Sequence, residues 1–379
     1  MPGTDLPRIA VLGAGPVGLE AAAHAAHAGY PVAAYDRGDV AEAIGQWGHV
    51  RMFTPFGMNC TPLGLDLIRK EHPQHALPGP NDLLTGNEYR DVYLVPLALT
   101  SKLGDVVKTR TFVVTVGRAG ILKTDPADDP KRAAAPFRLL LRDDKGAERF
   151  EEADIVLDCT GTYGRHAWLG DGGIPAAGEV AAEKQISYGL DDVLGRRKAQ
   201  YAGKSVIVVG GGCSAATTVC ALAQLAEEHP ATWVIWLTSG PRSTPLPRNP
   251  ADPLRERDRL AARANNLATR GDGNVEYHAQ VLLDEVTCHG PDKGFRVAGR
   301  CNGKPVVWEV DRVIGNVGYL ADTNLTRELH VAEFAGGAVR QPEPGYFVLG
   351  MKSFGRDADF LLKRGFEQVK EAMGMIRGR

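Results

Sequence analysis

Apolar and polar positions alternate along this chain in blocks that repeat. After Arg8, Ile9-Ala10-Val11-Leu12 is a short apolar run without polar interruption. That pattern predicts a strand buried on both faces, as in a parallel sheet. Gly13-Ala14-Gly15-Pro16-Val17-Gly18 follows, then an alanine-rich segment from Leu19 to Ala28 that stops at Gly29. This predicts a helix with a glycine cap. A second short strand, Val32 to Tyr35, ends at Asp36. The same order returns far downstream. Ser205 to Val209 predicts a strand, Gly210-Gly211-Gly212-Cys213-Ser214-Ala215 a loop, and Ser214 to Glu228 a helix halted at His229-Pro230. Trp233 to Leu237 predicts the next strand, ending in Thr238-Ser239 rather than an acid.

Each block is followed by a predicted meander. The first runs through strands at 106–116, 137–142 and 155–159, with turn chemistry such as Asp143-Asp144-Lys145-Gly146. The second runs through 281–287, 294–299 and 306–314. The meanders end alike. Asp154 to Gly161 can be laid over Asp311 to Gly318, with Asp, Val and Gly coinciding at the first, third and eighth positions. The shared order marks an internal repeat. Thr85-Gly86-Asn87-Glu88 reads as a capping box opening a helix, and an amphipathic helix is expected over 360–373. The fold class is therefore α/β, with two Rossmann-like dinucleotide-binding domains, each carrying a β-meander, the second inserted into the first. The expected boundaries are 1–169, 170–285 including a connecting segment, and 286–379.

Length and composition agree with this. A chain of 379 residues fits two or three domains, and a net charge of -2 gives no footprint for nucleic acid or an anionic membrane. No cleavable leader and no membrane span is expected, so the reading is cytoplasmic. The six cysteines form no CxxC pair, which excludes a zinc ribbon and a dithiol redox motif. No metal site is expected.

The glycines have distinct tasks. Gly13 permits the turn out of the strand, Gly15 lets backbone approach a pyrophosphate, and Gly18 allows helix and strand to pack closely. The helix start, with Pro16 and Val17, offers free N–H groups to phosphate. Asp36, beside Arg37, would accept ribose hydroxyls and repel a 2′-phosphate, so the first loop suits FAD or NAD. The second loop offers Gly210, Gly212, Cys213, Ser214 and Ala215 to a dinucleotide. Thr238 and Arg242, with Arg248 as a second cation, admit a 2′-phosphate, which predicts NADPH over NADH.

On these residues the sequence resembles the flavoproteins with two dinucleotide-binding domains, which include thioredoxin reductases, bacillithiol-disulfide-reductase-like proteins and class B monooxygenases. Gly13-x-Gly15-x-x-Gly18 is similar to their FAD loop. Gly203 to Ala215 looks like the NADPH loop of the monooxygenases, and Thr160-Gly161 like the strand end beside FAD. Two departures stand out. The CxxC of thioredoxin reductases is missing, and Met351 occupies the place of their ribityl-binding Asp, within Gly350-Met351-Lys352-Ser353-Phe354-Gly355-Arg356. The resemblance implies that Gly350, Ser353 and Phe354 contact FAD and that Trp47 corresponds to a Gly-Gly-x-Trp segment. It also implies that His49, Arg51, Asn59 and Lys352 lie at the flavin or substrate. The Baeyer–Villiger fingerprint is not met, because Gly161, His166 and Trp168 have the wrong spacing.

The implied activity is hydride transfer from NADPH to flavin. Monooxygenation of nitrogen or sulfur in a small metabolite, with O2 through a flavin C4a-hydroperoxide, leads. An NADPH-dependent reductase of a low-molecular-weight disulfide or other acceptor, using Cys60, Cys159 or flavin alone, is the alternative. A non-catalytic flavin redox sensor is a third reading. A homodimer is compatible with the sequence.

Overall fold

The computed structural model describes residues 6–271, 273–332, 336–355, 357 and 359–378. The first seven strands are β1 Ile9–Leu12, β2 Val32–Tyr35, β3 Val107–Lys108, β4 Thr111–Arg118, β5 Phe137–Asp143, β6 Glu148–Ala153 and β7 Ile155–Asp158. The next eight are β8 Ser205–Val209, β9 Trp233–Leu237, β10 Val275–His278, β11 Val281–Cys288, β12 Phe295–Cys301, β13 Lys304–Val310, β14 Arg312–Gly315 and β15 Tyr346–Val348. The chain divides into two compact units, Met1–Arg165 with Leu320–Arg379, and His166–Tyr319.

The first unit holds a parallel sheet in the order β15-β7-β1-β2-β3 and an antiparallel meander β4-β5-β6. Alternation along β1 accounts for its unbroken apolar run. Ile9 and Val11 enter a core with helices Pro16–His27, Pro62–Glu71 and Leu362–Arg377. Ala10 and Leu12 enter a core with Val116, Leu139 and Leu141 of the meander. Both faces are covered, so polar residues are excluded from either side.

The second unit repeats the scheme with the sheet β10-β9-β8-β14 and the meander β11-β12-β13. Val206 and Val208 face one core, with the helices Cys213–Glu228 and Arg255–Thr269, while Ile207 and Val209 face the other. The two registers correspond. Ile9 pairs with Val32 and Ile155, and Val206 pairs with Val234 and Arg312. The repeated acids do the same job in each unit. Asp154 accepts the backbone N–H of Arg8 at 2.8 Å, and Asp311 that of Ser205 at 2.8 Å.

The chain returns to the first unit at 320, not near 285, and leaves it after 165 rather than 169. Packing gives the reason. Val281, Leu283, Val286, Phe295 and Val297 of the second meander share a core with Ile207, Val209, Leu169 and Ile186. The segment expected to be a mere crossing adds bridges from Gly170 and Ala177 to β11. Two expected strands split. A left-handed Arg110 separates β3 from β4, and Asp311 separates β13 from β14. The charged strand β6 and the helix Arg255–Thr269 had no apolar signal to predict them.

Candidate functional site

The three glycines of the first loop differ physically. Gly13 has φ +97°, and a Cβ there would lie 2.7 Å from the Cys159 carbonyl oxygen at the end of β7. A Cβ at Gly18 would meet the Gly13 carbonyl oxygen at 1.9 Å. At Gly15 the backbone is extended, and a Cβ would meet nothing within 4 Å. Protein packing thus demands Gly13 and Gly18 but leaves the Gly15 side open. The helix that starts at Pro16 has no side-chain cap and no acid in its first turn. Its first N–H groups and positive end are left for an anion. Val17 packs instead against Gly350 and Gly365, joining the loop to the C-terminal segment.

Asp36 closes this loop. Its carboxylate accepts the backbone N–H of Ala14 at 2.6 Å and of Gly38 at 2.9 Å. Burial raises its pKa, and these N–H groups offset only part of that shift. Each oxygen keeps acceptor capacity for a hydroxyl. The Arg37 guanidinium lies against Gly164.

The segment from Trp47 to Asn59 separates into two kinds of residue. Trp47 stacks on Tyr163 with centroids 6.5 Å apart. Its buried Nε1 and the buried Nδ1 of His49 have no hydrogen-bond partner among the described residues. Arg51 and Asn59 both bond within the protein. Exposed Arg51 donates to the Leu83 carbonyl. Asn59 is buried, donates Nδ2 to Thr54 O at 3.1 Å and Pro55 O at 3.3 Å, and accepts from Thr54 Oγ1 at 2.9 Å. Its carbonyl accepts Tyr89 OH at 2.6 Å. Both amide protons of Asn59 are used inside the loop, whereas Arg51 keeps further guanidinium donors beside its one bond to Leu83. These bonds brace the loop. The Thr85 capping box forms as expected, with both reciprocal bonds.

Lys352 is neither a surface lysine nor a free cation. It is 5% exposed, and Nζ donates to Asp158 Oδ2 at 2.7 Å and Thr160 Oγ1 at 3.2 Å. Asp158, fully buried at the end of β7, also accepts Tyr346 OH at 2.8 Å and Thr160 Oγ1 at 2.7 Å. Burial pulls the Asp158 carboxyl upward. The Lys352 charge and the Lys352, Thr160 and Tyr346 bonds outweigh it and hold it below its ordinary range. The sequence reading missed Asp158 and Tyr346. An acid ending a wholly apolar strand was the available signal. The cluster ties the Thr160-Gly161 turn to the Gly350–Ser353 segment. Gly161 has φ +64°, and a Cβ there would meet nothing within 4 Å.

Ser353 is committed as well. Its hydroxyl donates to Gly350 O at 2.8 Å and accepts from Gln368 Nε2 at 2.7 Å. Its proton is therefore used within the protein. Phe354 lies 5.4 Å from Phe360, with the Arg364 guanidinium over its ring. Arg356 lies outside the described residues.

The second loop mirrors the first. A Cβ at Gly210 would lie 2.3 Å from Asn316 O, and one at Gly212 would meet nothing within 4 Å. Ala215 stands where Gly18 does and is buried. Cys213 and Ser214 open the helix, whose cap has no side-chain bond. Thr238 replaces Asp36, and its Oγ1 is 2.9 Å from Tyr277 OH. The Arg242 guanidinium is exposed and has no partner among the described residues, while Arg248 is held in two bonds of 2.9 Å by Asp258. Arg248 is thereby paired, where the Arg242 guanidinium is not.

Burial pushes the Cys60 thiol up to about 11. Burial, then the Asp158 charge, also holds the Cys159 thiol well above its ordinary value. Neither thiol is set up as a thiolate nucleophile. Among the described residues no cluster could hold a metal, and no helix is long and apolar enough to cross a membrane.

No family profile matches the chain, and no curated protein matches it. Solved structures do. A bacillithiol disulfide reductase of Bacillus cereus is 17% identical over 98% of this chain and 99% of its own, with a TM-score of 0.70. The FAD-bound cadaverine monooxygenase of desferrioxamine biosynthesis in Erwinia amylovora is 15% identical over 99% and 95%, also at 0.70. An ornithine N-hydroxylase of Kutzneria, solved with reduced FAD, NADP+ and ornithine, is 16% identical over 99% of each chain at 0.66. The chain shares their fold. That fold serves both disulfide reduction and N-hydroxylation in these neighbours, so it does not by itself select between the two.

Proposed function

We propose that the chain is an FAD-dependent oxidoreductase that takes electrons from NADPH and oxygenates nitrogen or sulfur in a small metabolite. The first unit is its FAD-binding part and the second its NADPH-binding part. The observation that carries this is the matched pair of openings at Gly15 and Gly212. Each is a glycine that its own fold does not require, at an uncapped helix start after a buried strand. Backbone N–H groups there would hold a pyrophosphate. Asp36 against Thr238 separates the two cofactors.

Bound flavin would supply the hydride and oxygen chemistry. The chain's residues orient and shield it. Trp47 and His49 bring two unpaired buried nitrogens to the first unit's candidate site, and a ligand would satisfy them. Lys352 and Asp158 fix the Thr160-Gly161 turn, and backbone near Ser353 is left for the ribityl chain. The suppressed thiols of Cys60 and Cys159 favour oxygenation over thiol-based disulfide reduction. Diamines and amino acids of the kind that two neighbours' names carry are the first substrates to try.

The test is rapid mixing of the purified, flavin-loaded protein with NADPH, then with oxygen and a panel of amines, thioethers and disulfides. Oxygenated product in step with NADPH consumption is expected. Quantitative peroxide release with turnover on disulfides would overturn oxygenation in favour of a reductase. Failure of NADPH to bleach the flavin would leave the redox sensor.

A further inference from the structure

We infer that Tyr277 is a positioning residue for coenzyme choice, setting the place of Arg242 and withholding the Thr238 proton. The inference rests on the NADPH reading above. Tyr277, in β10, carries one hydroxyl proton. Its OH donates to the Arg242 carbonyl at 3.0 Å. With that proton spent, the 2.9 Å contact to Thr238 Oγ1 requires Thr238 to be the donor. Thr238 then has lone pairs but no proton to offer a 2′-phosphate. The residue at the position of Asp36 is neutral and permissive. It is not itself a phosphate ligand.

Discrimination therefore passes to Arg242. A Cβ at Gly211 of the loop would lie 3.9 Å from Thr238 Cγ2, so this strand end adjoins the glycine turn. The 238–242 turn is strapped to the next strand by Gln280 N–H to Gly240 O at 3.0 Å and Val281 N–H to Thr238 O at 3.0 Å. The Tyr277 bond completes the strap at Arg242 itself. Tyr277 is held in turn by its ring, edge-on to buried Trp236 at 5.7 Å. The exposed guanidinium can then meet a dianionic phosphate with part of its ordering entropy already spent.

The experiment is calorimetric titration of the flavin-loaded wild type, Tyr277→Phe and Thr238→Val with NADP+ and, separately, NAD+. The wild type should bind NADP+ more tightly. Y277F removes the bond to the Arg242 carbonyl and frees the Thr238 proton; because a loosened Arg242 outweighs one neutral donor gained, the net effect should be an NADP+ affinity about three- to tenfold lower, with NAD+ affinity unchanged. T238V keeps the Tyr277–Arg242 bond and should move NADP+ less than Y277F does. A wild type that binds both coenzymes alike would defeat the NADPH reading itself. A wild type that prefers NADP+, together with a Y277F that keeps the preference, would overturn the role of Tyr277. So would a T238V that loses the preference while Y277F keeps it. Equal weakening of both coenzymes by Y277F would make the tyrosine merely structural and also overturn it.

Discussion

Replacing Lys352 by methionine should be among the more damaging single changes in the first unit. It leaves Asp158 fully buried with its cation gone. Removing one partner of a buried ion pair typically costs about 3–5 kcal/mol. Thr160 and Tyr346 still donate to the carboxylate, which argues for the lower end, near ~3 kcal/mol. At about 2–4 °C per kcal/mol for a unit of this size, the melting temperature should fall on the order of 10 °C. Lys352→Met combined with Asp158→Asn removes the charge as well and should recover most of the loss. The pH dependence has a definite sign. In the wild type the folded pKa of Asp158 is depressed. Its contribution is therefore present above the unfolded value near ~3.9 and is lost as pH falls through the lower folded value. In K352M, burial acts without the cation and the folded pKa rises. The variant's deficit should then shrink on acidification. Urea unfolding of single and double variants, followed by far-UV circular dichroism at several pH values, measures this. A K352M loss below about 1 kcal/mol, or a double variant no better than the single, would refute the reasoning.

Other outcomes follow from the same geometry. Arg242→Ala should weaken NADP+ roughly 10- to 150-fold, the range for a hydrogen bond to a charged group, and leave NAD+ nearly unchanged in a binding titration. Gly15→Ala should leave the unfolding of the flavin-free protein close to wild type yet reduce FAD retention on gel filtration, whereas Gly18→Ala should disturb folding, because only the second meets protein backbone. Iodoacetamide labelling followed by mass spectrometry at pH 8 should find Cys60 and Cys159 slow to react, since both thiols stay protonated there. Rapid labelling of either would revive the thiol-based reductase.

The legible parts of the fold were those written in local pattern. Two glycine loops, their strands and the Thr85 box depend on residues near each other in sequence. The repeat also survived at the level of register, because Asp154 and Asp311 anchor matching strand starts. The domain return was misplaced because the second meander looks the same whichever core it covers. Only the packing of Val281, Leu283 and Phe295 against Ile207 decides it. The site was legible in its glycines and obscure in its side chains. The sequence names Asn59, Ser353 and Lys352 as polar groups, but whether a polar group is free depends on partners such as Thr54, Gln368 and Asp158. Tyr277 was invisible for the same reason, since its role exists only across three segments.

One contact bears on the order in which the molecule is made. Arg118 and Arg132, both almost fully buried, share the carboxylate of Glu343 at 2.9 and 3.0 Å. The arginines leave the ribosome more than 200 residues before their counter-charge, and β15 follows Glu343 directly. The whole of His166–Tyr319 is synthesised in that interval. The second unit can therefore close first, while the first waits for the Glu343 carboxylate that its two buried arginines share. The unit that starts the chain is the last to be completed.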